Sequence, residues 1–375
     1  MQVVYWGTYD TGKPRNRIMI RGLREKGIQV VECNANVWKG IEDKSQLSGI
    51  IAKIRTFLSL LFSYPFLIYK YLRLPHHDVV VVGYMGQFDV LVIWPITRLR
   101  GIPICWDVFL SLYDTIVIDR KLVSKSSMVA FLLYALEWAS SRAADQLILD
   151  TRTHAEYFEK LYRLRPHSIH YVYVGAETDI FKKKAIFQNY KEEVFKVLFY
   201  GQFIPLHGID TIVYAAKLLE ECDPDISWIL IGKGQEQPRI DSLINRIGVK
   251  SICRISWVAY EELINYISEA DVSLGIFAPS GKAMRVIPNK IYQILAAGRP
   301  LITADTPAIR ELLCESPIIR MVDPGNPQAL ATAILDLRQA LKEIADISEY
   351  SDMLIKIGYA EVGKQLLEAL TSIRR

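Results

Sequence analysis

Two α/β domains in series, each on a parallel sheet, are predicted by three observations. Short Val- and Ile-rich runs alternate with helical patterns along the chain, the signature of a parallel sheet covered on both faces. The alternation stops at a polar, lysine-rich stretch, residues 181–196, and then restarts. A chain of 375 residues is also too long for one typical core. The expected architecture is therefore two Rossmann-like domains, 1–185 and 186–349, whose parallel sheets face each other across a cleft. A C-terminal helical segment, 350–375, is able to cross back to the first domain. Ligands of such sheets gather at the C-terminal ends of the strands.

In the first domain the expected strands are Val3–Gly7, Gln29–Cys33, Val79–Gly83, Ile102–Asp107, Gln146–Asp150 and Ile169–Tyr173. Helical patterns at Arg17–Lys26, Phe88–Leu99, Val129–Ala143 and Thr153–Tyr162 lie between them. In the second domain, strand Val197–Tyr200 leads to Gly201 and helix Gly208–Glu221. Strands Trp228–Ile231, Cys253–Ser256 and Val272–Ile276 follow, separated by helices Gln237–Ile247 and Tyr260–Ala270.

Charge is unevenly spread. Residues 1–185 hold 25 Lys and Arg against 17 Asp and Glu, whereas the remainder is acidic by four. The first domain therefore favours an anionic partner, either a membrane surface or a phosphate-bearing acceptor. No basic stripe with interleaved aromatics points to nucleic acid. The five cysteines (Cys33, Cys105, Cys222, Cys253, Cys314) are scattered without CxxC spacing, which argues against a disulfide framework or zinc site and for a reducing cytoplasm. The start, MQVVYWGTYD, reads as a first strand rather than a signal peptide.

Phe57–Tyr69 is apolar for thirteen residues, flanked by Lys53 and Arg55 before and by Lys70 and Arg73 after. It is shorter than the roughly 20 residues a spanning helix needs, and Pro65 interrupts it. Two readings stay open: a helix buried against the sheet, or one lying in the membrane interface with its basic flanks at the headgroups.

The chemistry concentrates in Arg285–Leu312. A short helix opens at Pro288, runs to Ala297 and stops at Gly298. Proline suits a helix's first position because its missing N–H has no intrahelical partner there. The free N–H groups of the first turn, at Asn289 and Lys290, together with the Lys290 ammonium, form an anion site. Ile291, Ile294 and Leu295 share a face, and Lys290 and Gln293 lie together about 120° from it. One face anchors the helix while the other can hold a phosphate and a hydroxyl-bearing ligand. Loops after strands add candidates. Gly12 in GTYDTGK lets backbone approach a phosphate, Gly201-Gln202 to His207-Gly208 opens a helix, and Gly232-Lys233-Gly234 ends a strand. Asp223-Pro224-Asp225 has DxD spacing but lies in a helix-to-strand turn, so no metal site is expected there.

Taken together, YGQFIPLHGIDTIVYAAKLL, WILIGKGQEQPRI, WVAYEELINYISEADVSLGIF and IPNKIYQILAAGRPLITADTPAIREL resemble the retaining glycosyltransferases of family four, which have the two-domain GT-B fold. RAADQLILDTRTHAEYF and VYVGAETDIF extend the resemblance more loosely into the first half. It implies transfer of a sugar from a nucleotide-sugar donor with retention at the anomeric carbon. It further implies no cofactor and no obligatory metal, and a glycan or lipid-linked acceptor in surface polysaccharide synthesis.

The family's two glutamates, eight residues apart, fall on Arg285 and Gln293. Gln293 retains donors and an acceptor for ribose hydroxyls, and Arg285 inverts the charge and suits a diphosphate or an acidic sugar. Gln202 and His207 stand where the family usually has Arg and Lys. Val258 matches the backbone position that meets the nucleobase, and Asp107, ending ICWDVF, matches a polar acceptor-side position, with Asp119-Arg120 as the other candidate. The catalytic set implied is Asp107, Arg285 and Lys290. Two rival functions share the fold: a nucleotide-sugar epimerase or hydrolase, and a non-catalytic partner of another transferase.

Overall fold

The computed structural model describes residues 1–38, 50–166, 168–182, 194–343 and 350–373. Two compact units result: Met1–Gly175 with Tyr359–Arg375, and Ala176–Gly358.

In the first unit, β1 (Gln2–Gly7), β2 (Gln29–Asn34), β3 (Val79–Val82), β4 (Ile104–Asp107), β5 (Gln146–Leu149) and β6 (Ile169–Tyr171) form one sheet in the order β2-β1-β3-β4-β5-β6. Every pairing is parallel. Parallel neighbours need crossover connections, and helices supply them: α1 (Pro14–Glu25), α2 (Ile50–Leu72), α3 (Gln87–Arg100), α4 (Met128–Ala143) and α5 (Arg152–Tyr162). Side chains alternate between the sheet faces. Val4, Trp6, Val80 and Trp106 pack under α2 to α5. Val3, Tyr5, Val81 and Ile148 pack under α1 and the last helix of the chain, Tyr359–Thr371. Ser127 and Thr151 cap α4 and α5, accepting from the amides of Ala130 and His154.

Pro65 does not end the apolar stretch as expected; α2 runs through it from Ile50 to Leu72. The proline is on the exposed side of the helix, so the one backbone bond it forgoes costs little packing. Lys53, Arg55 and Phe57 have side chains outside the described residues. No helix of the described residues is long and apolar enough to cross a membrane.

The second unit repeats the plan. Strands β7 (Phe195–Tyr200), β8 (Ile226–Ile231), β9 (Ile252–Ile255), β10 (Val272–Leu274), β11 (Leu301–Ala304) and β12 (Ile319–Val322) run parallel in the order β12-β11-β10-β7-β8-β9. Helices α6 (Ile209–Cys222), α7 (Gln237–Ile247), α8 (Leu263–Glu269), α9 (Asn289–Ala296), α10 (Pro307–Leu312) and α11 (Pro327–Leu341) cover it. Arg338 of α11 pairs with Asp223, at the end of α6, so that aspartate ties two helices together. The strand order reverses between β7 and β10, which opens a crevice at their C-terminal ends.

The C-terminal segment is two helices, not one. Packed against α9 in the second unit is α12 (Tyr350–Ile357), and after Gly358 comes α13 (Tyr359–Thr371), which belongs to the first. Its docking on α1 is a backbone contact. A side-chain carbon at Gly22 would stand 2.6 Å from the Tyr359 carbonyl oxygen, and one at Gly363 would overlap the Gly22 carbonyl. Gly363→Leu should therefore force the two helices apart and cost about 2–3 kcal/mol, read as a lower urea midpoint. An unchanged midpoint would show that α13 adds nothing to the first unit's stability.

Candidate active site

The crevice of the second sheet is lined by the residues after β7 and the start of α9. Phe199 and Tyr200 end β7, and Gly201 turns the chain away with φ at +141°. The approach at that turn explains the glycine. A side-chain carbon there would stand 3.1 Å from both Lys290 Nζ and His207 Cε1. Gly201, His207 and Lys290 thus converge on one spot, although 89 positions separate the first from the last in sequence.

Lys290 is the unusual member. It is 5% exposed, and its ammonium has no hydrogen-bond partner among the described residues. The Nζ lies 3.7 Å from the centroid of the Phe199 ring and 5.9 Å from that of Tyr200. The ring faces offset part of the cost of burial, yet desolvation still pushes the pKa well below the usual lysine value. Pro288 caps α9 without a side-chain bond to the first turn. A buried amine and uncapped helix N–H groups at one place suit a multiply charged anion.

His207 ends a short 3₁₀ turn, Pro205–His207, and its ring meets Phe199 edge-on at 5.6 Å. Gln202 directly follows Gly201, and Asn289 opens α9 beside Lys290. Arg285 lies half-buried in the turn before α9, its amide bonded to the Lys282 carbonyl.

Gln293 is held more firmly than the sequence implied. Its Oε1 accepts from the Tyr200 hydroxyl at 3.0 Å, and its Nε2 donates to the Tyr260 hydroxyl at 3.3 Å. Tyr260 in turn donates to Glu177 Oε2 at 2.8 Å. Both ends of the amide therefore have protein partners, which leaves one lone pair and one N–H for a ligand. Tyr200, Tyr260 and Glu177 are site residues the sequence reading did not single out. The local signal was their place in motifs: Tyr200 opens YGQFIPLHG, Tyr260 lies in WVAYEEL and Glu177 in VYVGAETDIF. Val258 is half-buried in the loop between β9 and the turn carrying Tyr260.

Two expected residues of the first unit do not stand ready for chemistry. The Gly12 amide donates to Asp10 Oδ1 at 2.8 Å. Its N–H is used inside its own loop, beside the Asp10 carboxylate. Asp107 is fully buried, and both its oxygens accept from the Arg15 guanidinium at 2.7 to 3.0 Å. Burial pushes the Asp107 carboxyl up, with Arg15 pulling against it. A carboxylate so engaged is a structural ion pair and not an accessible base. Among the described residues no three His, Cys, Asp or Glu side chains cluster as metal ligands.

Gly201→Ala should strain the backbone at positive φ and crowd Lys290 and His207 together. It is expected to lower stability by about 1–2 kcal/mol and to weaken anion binding. A thermal melt with and without pyrophosphate would reveal both effects, and wild-type behaviour in both would remove Gly201 from the site.

Residues 194–340 match the family model described as Glycosyl transferases group 1. Over 177 residues the chain is 22% identical to the amylovoran biosynthesis glycosyltransferase AmsK of Erwinia amylovora. That match covers 46% of this chain and 43% of the relative, less than half of the relative's length. The fold is similar to that of HepE of Anabaena in complex with UDP, at a TM-score of 0.65 and 16% identity over 99% of this chain and 100% of that one. It is also similar to a sucrose-phosphate synthase of Thermosynechococcus elongatus, at a TM-score of 0.70 and 14% identity over 98% of each chain. These likenesses run through both sheets, and the sequence match falls on the unit that holds Gly201, His207 and Lys290. The chain therefore has the GT-B fold, and its residues 194–340 are similar to the Glycosyl transferases group 1 family.

Proposed function

We propose that this protein is a retaining glycosyltransferase. It moves a sugar from a nucleotide-sugar donor to a glycan or lipid-linked acceptor in cell-surface polysaccharide synthesis. It does so without a metal, in the cytoplasm, in peripheral contact with an anionic membrane. The observation that carries the reading is the buried Lys290 ammonium, unpaired among the described residues, beside Gly201 and the uncapped start of α9. As the glycosidic bond to the donor breaks, the diphosphate takes up negative charge. A cation and N–H groups already aimed at it lower the barrier without reorganising. In this reading Arg285 adds positive charge, His207, Asn289 and Gln202 offer polar contacts, and Gln293 offers its remaining lone pair and N–H to the ribose. The backbone at Val258 meets the base. With Asp107 engaged by Arg15, the acceptor proton passes to the departing phosphate on the same face of the sugar. That same-face path keeps the anomeric configuration.

A thermal-shift panel of nucleotide sugars, beginning with UDP-sugars because the Anabaena relative is complexed with UDP, tests the donor claim. One nucleotide sugar should raise the melting temperature, and the product's anomeric signal by NMR should match the donor's. No shift with any nucleotide or nucleotide sugar would sink the reading. A second reading is a nucleotide-binding partner without turnover. The amide of Gln293, held by two tyrosines where the family has a carboxylate, favours it. A bound donor that is never consumed under any acceptor would decide for that alternative.

A further inference from the structure

Three neighbouring helices of the first unit are apolar on both sides. Helices α2, α3 and α4 cover one face of the sheet and send Leu67, Tyr71, Val90, Ile93 and Ala143 into a shared core. They are joined laterally. Tyr64 of α2 donates to Asp89 of α3 at 2.8 Å, Arg100 of α3 lies over the Tyr71 ring of α2 at 5.4 Å, and α3 packs on α4.

Their outward sides carry most of the large apolar side chains exposed among the described residues. Helix α2 presents Leu61, Phe62 (74% exposed), Phe66 and Tyr69, at the spacing of one helical stripe. From α3 come Trp94 and Leu99 (90%), and from α4 come Met128, Phe131 (63%), Leu132 and Trp138. Soluble monomers rarely leave so broad an apolar surface open to water.

The exposed charges on the described parts of these three helices have one sign, although Arg98 of α3 pairs with Asp145 beside it at 2.9 Å. The only carboxylates among the described side chains of the three helices are Asp89 and Glu137, both buried. Asp89 accepts from Thr8 and Tyr64, and Glu137 from Ser111, Tyr162 and the Leu112 amide. The rim is cationic: Arg73 stacks over Tyr69 at 4.2 Å and Arg142 over Trp138 at 4.0 Å, with Lys70 and Arg100 near the helix ends. Aromatic rings paired with guanidinium groups around an apolar centre suit the headgroup layer of a membrane, where long basic side chains reach outward. A second copy of this chain would set the same cationic rim against itself, and like charges oppose that arrangement.

We propose that the outward face of α2, α3 and α4 docks on an anionic lipid bilayer, its apolar residues entering the acyl boundary. The proposal rests on the membrane contact proposed above and assigns it a surface. Flotation of the full chain with vesicles of phosphatidylglycerol and phosphatidylcholine, against phosphatidylcholine alone, tests it. Wild type should float with the anionic vesicles. The pairs Phe62→Asp/Phe66→Asp on α2 and Phe131→Asp/Leu132→Asp on α4 should each weaken partitioning about tenfold or more. All four side chains are exposed, so melting temperatures and nucleotide-sugar thermal shifts should stay at wild-type values. If the α4 pair floats like wild type while the α2 pair does not, the three-helix face is wrong although the membrane contact survives. If wild type ignores anionic vesicles, the membrane contact itself fails and the proposal with it. A dimer in sedimentation velocity that either pair disperses, without vesicle binding, would give the face to a second copy and overturn the proposal.

Discussion

Lys290→Met should weaken donor binding severely and, without ligand, raise the melting temperature. The two effects have opposite signs because the ammonium is a liability until an anion arrives. It is 5% exposed with no hydrogen-bond partner among the described residues, and a buried charge left unpaired costs several kcal/mol. A methionine of similar length keeps the packing on Phe199 and removes the charge. Losing the partner of a buried anion typically costs about 2–5 kcal/mol, so donor affinity should fall more than about thirtyfold. Asp223→Ala should leave donor affinity unchanged, because Asp223 pairs with Arg338 between α6 and α11. Equal losses in the two variants would remove the anion site from α9.

The pH dependence follows from the same burial. Desolvation holds the folded-state pKa of Lys290 well below its ordinary value. Between that depressed pKa and about 10.4, the unfolded chain binds a proton that the folded chain lacks, so stability rises with pH across that window. The methionine variant should lose this part of the slope. Within that window, binding a diphosphate restores the charge and takes up a proton, so donor affinity should weaken as pH rises through it. Calorimetry in two buffers of different ionisation enthalpy measures that uptake directly; a binding enthalpy independent of buffer would contradict it.

Asp107→Asn should strongly destabilise the first unit. The Arg15 and Asp107 side chains are 1% and 0% exposed, and the Arg15 Nη1 also donates to the Val172 carbonyl at 3.0 Å. Breaking such a pair strands a guanidinium in the core, at a cost of about 3–5 kcal/mol. Replacing both partners, as in Arg15→Met/Asp107→Leu, should recover part of that loss because no charge remains to desolvate. Urea denaturation of the three proteins gives the comparison. Wild-type stability of Asp107→Asn combined with lost turnover would restore Asp107 as a catalytic base.

Most strands were readable because a parallel strand buried on both faces is a continuous apolar run, whatever surrounds it. Gln237–Ile247 matches its expected helix, whereas the helix expected to open at Pro288 opens one residue later, at Asn289, with Pro288 extended as its N-cap. β12 and α11 fell outside the expected set. Pro65 looks like a break in the sequence because proline's local effect is legible there while the side of the helix it occupies is not.

The chain alone determined two α/β halves, the basic first half and the uncapped start of α9 beside Lys290, since periodicity, composition and helix capping are local properties of the backbone. Tertiary structure alone decided which groups are free and which are spent. Asp107 meets Arg15 across 92 positions, Gln293 meets Tyr200 across 93, and Tyr260 meets Glu177 across 83. It likewise decided that three apolar helices share one outward face. Burial and pairing are relations between distant segments, and a side chain's charge becomes a tie or a tool according to the neighbours that folding brings to it.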